Sequence, residues 1–250
     1  MFFSRVWQTT CTVVRAGEEA FVIDSPIYPD ELEALPGVLE QAAFPVSGLL
    51  ATHGDWDHLL GRLAFPEAAL GCAQSTAERL RAEPGQAQRE LRDFDEEHYV
   101  HGRSPLALAG IQELPVPGHL SLSHERELEL HPAPGHTADG MTLMIPWARV
   151  LVCGDYLSPV EIPVLGAGGD IDAYEATLAR LAELLPRTDF AVPGHGSTLR
   201  REEAEQILAD DREYLSALRG RGEAASLPAG RRTDTQRRLH AENVRALAGP

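Results

Sequence analysis

Residues 53–58 read His53-Gly54-Asp55-Trp56-Asp57-His58, which places two imidazoles and two carboxylates within six positions. Three more such groups each end a short apolar run: His136 after "ELELHPAPG", Asp155 after "RVLVCG" and His195 after "FAVPG". Imidazole nitrogen and carboxylate oxygen are the donors that hold zinc, iron and manganese. Strand ends in layered α/β folds meet at one crevice, so donors closing several apolar runs point to a metal centre there. The Pro-Gly pairs before His136 and His195 fit tight turns that aim each ring inward.

The intervening sequence supplies the elements that must position these groups. "TTCTVVRAGEEAFVIDSP" has the pattern of a hairpin, with strands over 11–14 and 20–24 about a turn at Ala16-Gly17. "VSGLLATH" is a buried strand leading into the first motif. Residues 30–43 look helical but interrupted at Pro36-Gly37, and Ser75 with Glu78 has the spacing of a capping box opening a helix to about Arg81. Asp172 caps a helix with Leu178, Leu181 and Leu185 as its stripe. A further helix covers about 201–219 and stops at Gly220, and an Arg-rich linker leads to a last one at about 234–247. The alternation predicts an α/β layered fold in a single domain over 1–250. Within it, 83–125 reads as an acidic, partly helical insertion covering the metal edge rather than core, and about 220–250 as a C-terminal helical extension.

Composition narrows the partners. The formal net charge is −16, and all 22 basic residues are arginines. An acidic surface lacks the basic face that a nucleic-acid binder needs, and a chain without lysine forms no Schiff base. Cys11, Cys72 and Cys153 are widely spaced with no CxxC pair, as buried reduced thiols are. The N-terminus lacks the apolar length of a signal peptide and no segment is long enough to span a membrane. These features predict a cytoplasmic protein acting on a small molecule, with neither nucleic acid nor membrane as partner, and they leave a homodimer open.

The ordered series His53, Asp55, Asp57, His58, His136, Asp155, His195 resembles the metallo-β-lactamase superfamily, whose signature is H-x-H-x-D-H followed by a lone His, a lone Asp and a last His. The resemblance covers roughly residues 10–200. It implies a four-layer αβ/βα sandwich with two divalent ions along one edge, zinc being the usual one. It further implies that metal one takes His53, position 55 and His136, that metal two takes Asp57, His58 and His195, and that Asp155 bridges. Asp57 would then act on the metal-bound hydroxide of a hydrolase. The "GDY" and "PGHG" surroundings are similar to those of glyoxalase II-type hydrolases, which implies a small ester, thioester or lactone substrate.

Asp55 is the departure, because the family usually has His there. A third carboxylate makes the site more neutral and a poorer Lewis acid, and its oxygen favours Mn or Fe(II) relative to Zn. His53, Asp55 and His136 would form the two-imidazole, one-carboxylate set of non-haem iron sites, and flavodiiron proteins are similar in using a carboxylate at this position. An iron oxidoreductase or dioxygenase is therefore the rival enzyme class, and a non-catalytic metal-binding member a third. Asp55 itself is read either as a ligand or as a group behind the ligands. Tyr156, directly after Asp155, is read as a substrate contact or else as strand-end packing. His119, in a third "PGH", is read as a loop histidine, His98 and His101 as solvated or else substrate-facing, and Trp56 as a brace for the motif loop.

Overall fold

The computed structural model describes residues 1–166 and 168–248. Near-continuous apolar runs in the sequence become strands buried on both faces. In β2 (Thr10–Ala16), Cys11 packs toward one core while Val14 and Ala16 pack toward another. In β10 (Val150–Gly154), Leu151 and Cys153 face one way and Val152 the other. Because side chains alternate along a strand, a sheet covered on both sides needs apolar residues at every position.

Two six-stranded sheets result. The first runs β1 (Phe2–Phe3), β2, β3 (Glu19–Ile23), β4 (Val46–Leu50), β5 (Leu70–Ala73) and β6 (Ile111–Leu114) in that order. The second is ordered β12 (Leu199–Arg200), β11 (Phe190–Pro193), β10, β9 (Met141–Ile145), β8 (Arg126–Pro132) and β7 (Gly118–Leu122). Strands β3 to β6 pair in parallel, as do β10 and β11, and the other pairs are antiparallel. One core lies between the sheets, joining Val14, Ile23 and Leu50 to Leu130, Leu143 and Val192. A second lies outside the first sheet under α1 (Pro29–Gln41) and α4 (Gln86–Glu97), and a third outside the second sheet under α5 (Ile171–Leu184) and α6 (Arg201–Arg221). The layers are thus α, β, β, α, the four-layer sandwich expected.

Several local expectations are corrected. Helix α1 runs unbroken through Pro36. A mid-helix proline costs about 3 kcal/mol, but Leu32, Leu35 and Leu39 are all buried, each worth about 1.5–3 kcal/mol. The cap of α5 is Asp170, whose carboxylate accepts from the Ala173 amide at 2.8 Å, not Asp172. Helix α3 (Gln74–Ala82) starts at Gln74, and Glu78 takes a hydrogen bond from the Gln74 side chain rather than closing a box with Ser75. The segment 83–125 is not a separable insertion. It contains β6 and β7, and α4 buries Ala87, Leu91 and Phe94 in the outer core. Its polar composition masked a single apolar stripe at i, i+4, i+7.

The C-terminal extension folds as α7 (Asp234–Ala248); residues 249–250 of that expectation, like Ala167, lie outside the described residues. No described helix is long and apolar enough to cross a membrane.

Candidate metal centre

The site forms where the sheets meet at their strand ends. Thr10 at the start of β2 donates its amide to Gly194 O at 2.7 Å, and the Met141 amide opening β9 donates to Thr52 O at 2.7 Å. These cross-sheet bonds bring the segments after β4, β10 and β11, and the turn between β8 and β9, to one edge. Gly194 has to be glycine, since a Cβ there would lie 2.0 Å from Asp155 Oδ1.

The structure brings all seven sequence-predicted donors together. His53, Asp55 and His136 offer ligand atoms mutually within 4.8 Å, as do Asp57, His58 and His195. The Asp155 carboxylate stands between them. Its Oδ2 is 3.3 Å from the Nε2 atoms of both His136 and His195 and 3.7 Å from that of His53, and its Oδ1 is 3.1 Å from His58 Nε2. The Nε2 atoms of His53, His58 and His136, with Asp155 Oδ1, are buried and have no hydrogen-bond partner. Buried polar atoms left without partners are costly, and here they converge on one spot. That arrangement fits divalent metal, which imidazole and carboxylate would bind together.

Three of the four rings are aimed by a hydrogen bond at the other nitrogen. Thr52 Oγ1 donates to Asp24 Oδ2, which leaves its oxygen to accept from His53 Nδ1 at 3.2 Å. His136 Nδ1 donates to Val164 O at 2.9 Å. His195 Nδ1 lies 3.2 Å from Thr9 Oγ1, whereas His58 Nδ1, 3.1 Å from Asp24 Oδ2, makes no hydrogen bond. Such partners fix tautomer and orientation at metal-binding histidines.

The carboxylates decide the electrostatics of the metal-free site. Burial opposes charge on His136, yet the adjacent Asp55 and Asp155 carboxylates outweigh it and raise the ring to about 9. Burial likewise opposes charge on His195, but Asp155 and Glu161 raise it to about 10. Asp55 and Asp155 are both held well below the usual carboxylate range: burial pushes them up, and the neighbouring imidazoles more than offset it.

Some residues escaped sequence reasoning. Asp24 closes a fifth apolar run, "AFVID", and holds Thr52 through both the amide and the hydroxyl. Glu161 borders the nest beside Ser158 and Ile162, and burial raises its carboxyl despite the pull of His195. Arg79 of α3 donates to Asp55 Oδ1 at 2.8 Å and to Asp139 Oδ1 at 2.9 Å. Asp24 could have been found as one more strand-end carboxylate, whereas Arg79 carries no sequence signal.

Tyr156 is corrected to the packing role. Its ring is buried, and its hydroxyl accepts from the His136 amide at 3.0 Å while donating to Ala133 O at 3.2 Å, so it braces His136 from behind. His119 is exposed on β7, away from the nest. Trp56 is buried in the outer core, as its bracing role requires. His98 is not simply solvated: it stacks on Phe94 with ring centres 4.0 Å apart.

Similar folds occur among solved structures. TTHA1429, a metallo-beta-lactamase family protein from Thermus thermophilus, is 19% identical and aligns over 85% of this chain and 78% of its own, with a TM-score of 0.65. TTHA1623, solved in a di-iron-bound form, is 20% identical over 82% of this chain and 96% of its own, with a TM-score of 0.64. FIM-1 from Pseudomonas aeruginosa, solved in a mono-zinc form, is 17% identical over 83% of this chain and 84% of its own, at 0.61. At these identities the likeness is one of fold. The model of the metallo-beta-lactamase superfamily matches residues 4–195. That span takes in all seven donors gathered at the sheet edge, and by it the chain belongs to the metallo-β-lactamase superfamily.

Proposed function

We propose that the protein is a metal-dependent hydrolase of a small ester, thioester or lactone. The observation that carries this reading is the convergence of unpartnered imidazole nitrogens around Asp155. His53, Asp55 and His136 would hold one divalent ion and Asp57, His58 and His195 the other, with Asp155 shared between them. Bound divalent ions lower the pKa of water and polarise a carbonyl oxygen.

The chain's own groups do the rest. Asp57, on a buried turn with Oδ2 3.5 Å from His195 Nε2, orients the attacking water and takes its proton at the carboxylate. Thr52 and Val164 keep the His53 and His136 rings in the tautomer that presents Nε2 to the centre. Trp7, 42% exposed with its ring centre 6.5 Å from that of His195, gives an apolar wall beside the nest for the substrate's non-reacting part.

The test is metal content and hydrolysis measured on the same chelator-free preparations. Wild type should bind metal and hydrolyse members of an ester, thioester and lactone panel, and Asp155→Ala should lose both. Full metal with intact activity in that variant would overturn the assignment. A second reading, an iron oxidoreductase, is favoured by the two-imidazole, one-carboxylate set at His53, Asp55 and His136. Iron in the purified protein, with oxygen consumption and no hydrolysis, would select it.

A further inference from the structure

Asp55 divides its two oxygens between different tasks. Oδ2 faces the nest, 3.5 Å from His53 Nε2 and 3.3 Å from His136 Nε2. Oδ1 takes a hydrogen bond from the Arg79 guanidinium at 2.8 Å. The second arm of that guanidinium reaches Asp139 Oδ1 at 2.9 Å, and Asp139 Oδ2 accepts from the Gly54 amide at 2.9 Å. A closed chain of contacts therefore runs from α3 through Arg79 and Asp139 back to the backbone between His53 and Asp55. Gly54 leaves room for it, since a Cβ there would stand 3.1 Å from Asp139 Oδ2 and 3.5 Å from Arg79 Nη1. The Arg79 side chain is only 14% exposed, so solvent screens its charge little.

We propose that Arg79 is the residue that fits Asp55 to a position the superfamily signature gives to histidine. The guanidinium occupies one carboxylate oxygen, so Asp55 presents a single donor atom, as an imidazole does. Its charge is shared between Asp55 and Asp139, so the free oxygen of Asp55 is offered with part of its charge offset. Lysine could supply the charge but not the planar fork that reaches two carboxylates in fixed geometry. Arg79 is thus a positioning residue that sets which ion the first position prefers. The inference rests on the reading of the nest as a metal site.

The experiment is competitive loading of metal-stripped protein with zinc and manganese, read by elemental analysis and independent of any substrate. Four proteins are compared: wild type, Arg79→Gln, Asp55→His and the double variant. In Arg79→Gln, Asp55 regains its full charge and a second free oxygen. The bound ratio should move toward manganese by about tenfold or more, within the about 10–100-fold range of changes behind metal ligands. In the Asp55→His background the same substitution should leave the ratio unchanged.

An unchanged ratio in Arg79→Gln overturns the proposal, and so does an equal shift in both backgrounds, which would place the action of Arg79 elsewhere. Should Arg79→Gln not fold, Arg79→Lys carries the test: an intermediate shift that vanishes beside Asp55→His supports the proposal, and no shift overturns it. Failure of wild type to bind either ion would instead sink the metal-site reading itself.

Discussion

At the scale of single residues, our proposal gives position 55 the choice of metal. Replacing Asp55 by His restores a three-nitrogen set and removes a hard oxygen donor, so zinc should gain relative to manganese and Fe(II). Identical selectivity in wild type and Asp55→His, measured by competitive loading, would show that Asp55 does not touch the ion. Protons compete for the same rings. His136 and His195 are raised to about 9 and about 10 in the metal-free chain, above the ordinary imidazole value of 6.5. A raised histidine contributes stability that is complete below its unfolded pKa and disappears as pH rises through the folded one. The metal-free protein should therefore lose stability between about pH 7 and 10, while apparent metal affinity rises over the same window because the rings must be deprotonated to bind. Calorimetry of the stripped protein across that range tests the first half, and a metal affinity that falls as pH rises would contradict the second.

At the scale of elements, α4 shows what the sequence displayed and what it concealed. The strands leading to His53, Asp155 and His195 were legible because their apolar runs end abruptly in polar groups, and the seven donors were legible because few other patterns crowd such groups together. The role of α4 was hidden, since three apolar residues in a strongly polar stretch give a weak signal. Phe94 lies 4.9 Å from Trp56 and 5.3 Å from Trp7, ring centre to ring centre, so the helix packs on the turn that carries Asp57 and His58. A segment fixed this way is part of the core and not a free cover. Phe94→Ala should cost about 3–5 kcal/mol, the usual range for a buried Phe, read as a lowered denaturant midpoint with unchanged slope. A loss under about 1 kcal/mol would return α4 to the status of a peripheral insertion. Arg79 was illegible for another reason: its partners Asp55 and Asp139 lie 24 and 60 positions away, and only the fold makes them neighbours.

At the scale of the whole molecule, the chain beyond the superfamily match is tied to the site. Helix α7 buries Gln236 and Asn243, which serve the backbone of the loop following Asp155. Gln236 Oε1 accepts from the Ile162 amide at 2.8 Å. Asn243 accepts from the Leu165 amide at 2.8 Å and donates to Pro163 O at 2.6 Å. The same loop holds the His136 ring and the His195 backbone, for Val164 O accepts from His136 Nδ1 and Ser158 Oγ donates to His195 O at 2.8 Å. Arg231, paired with buried Asp211, adds a bond to Glu161 O at 2.8 Å. Asn243→Ala would strip the Leu165 amide of its partner, at about 1–3 kcal/mol for a buried unsatisfied group, and free the loop that aims His136. The expected result is faster metal release to a chelator, together with a modest fall in melting temperature. Arg245→Ala, on the exposed face of the same helix, should change neither. If Asn243→Ala lowers the melting temperature but leaves the release rate as in wild type, α7 stabilises the fold without steadying the metal ligands.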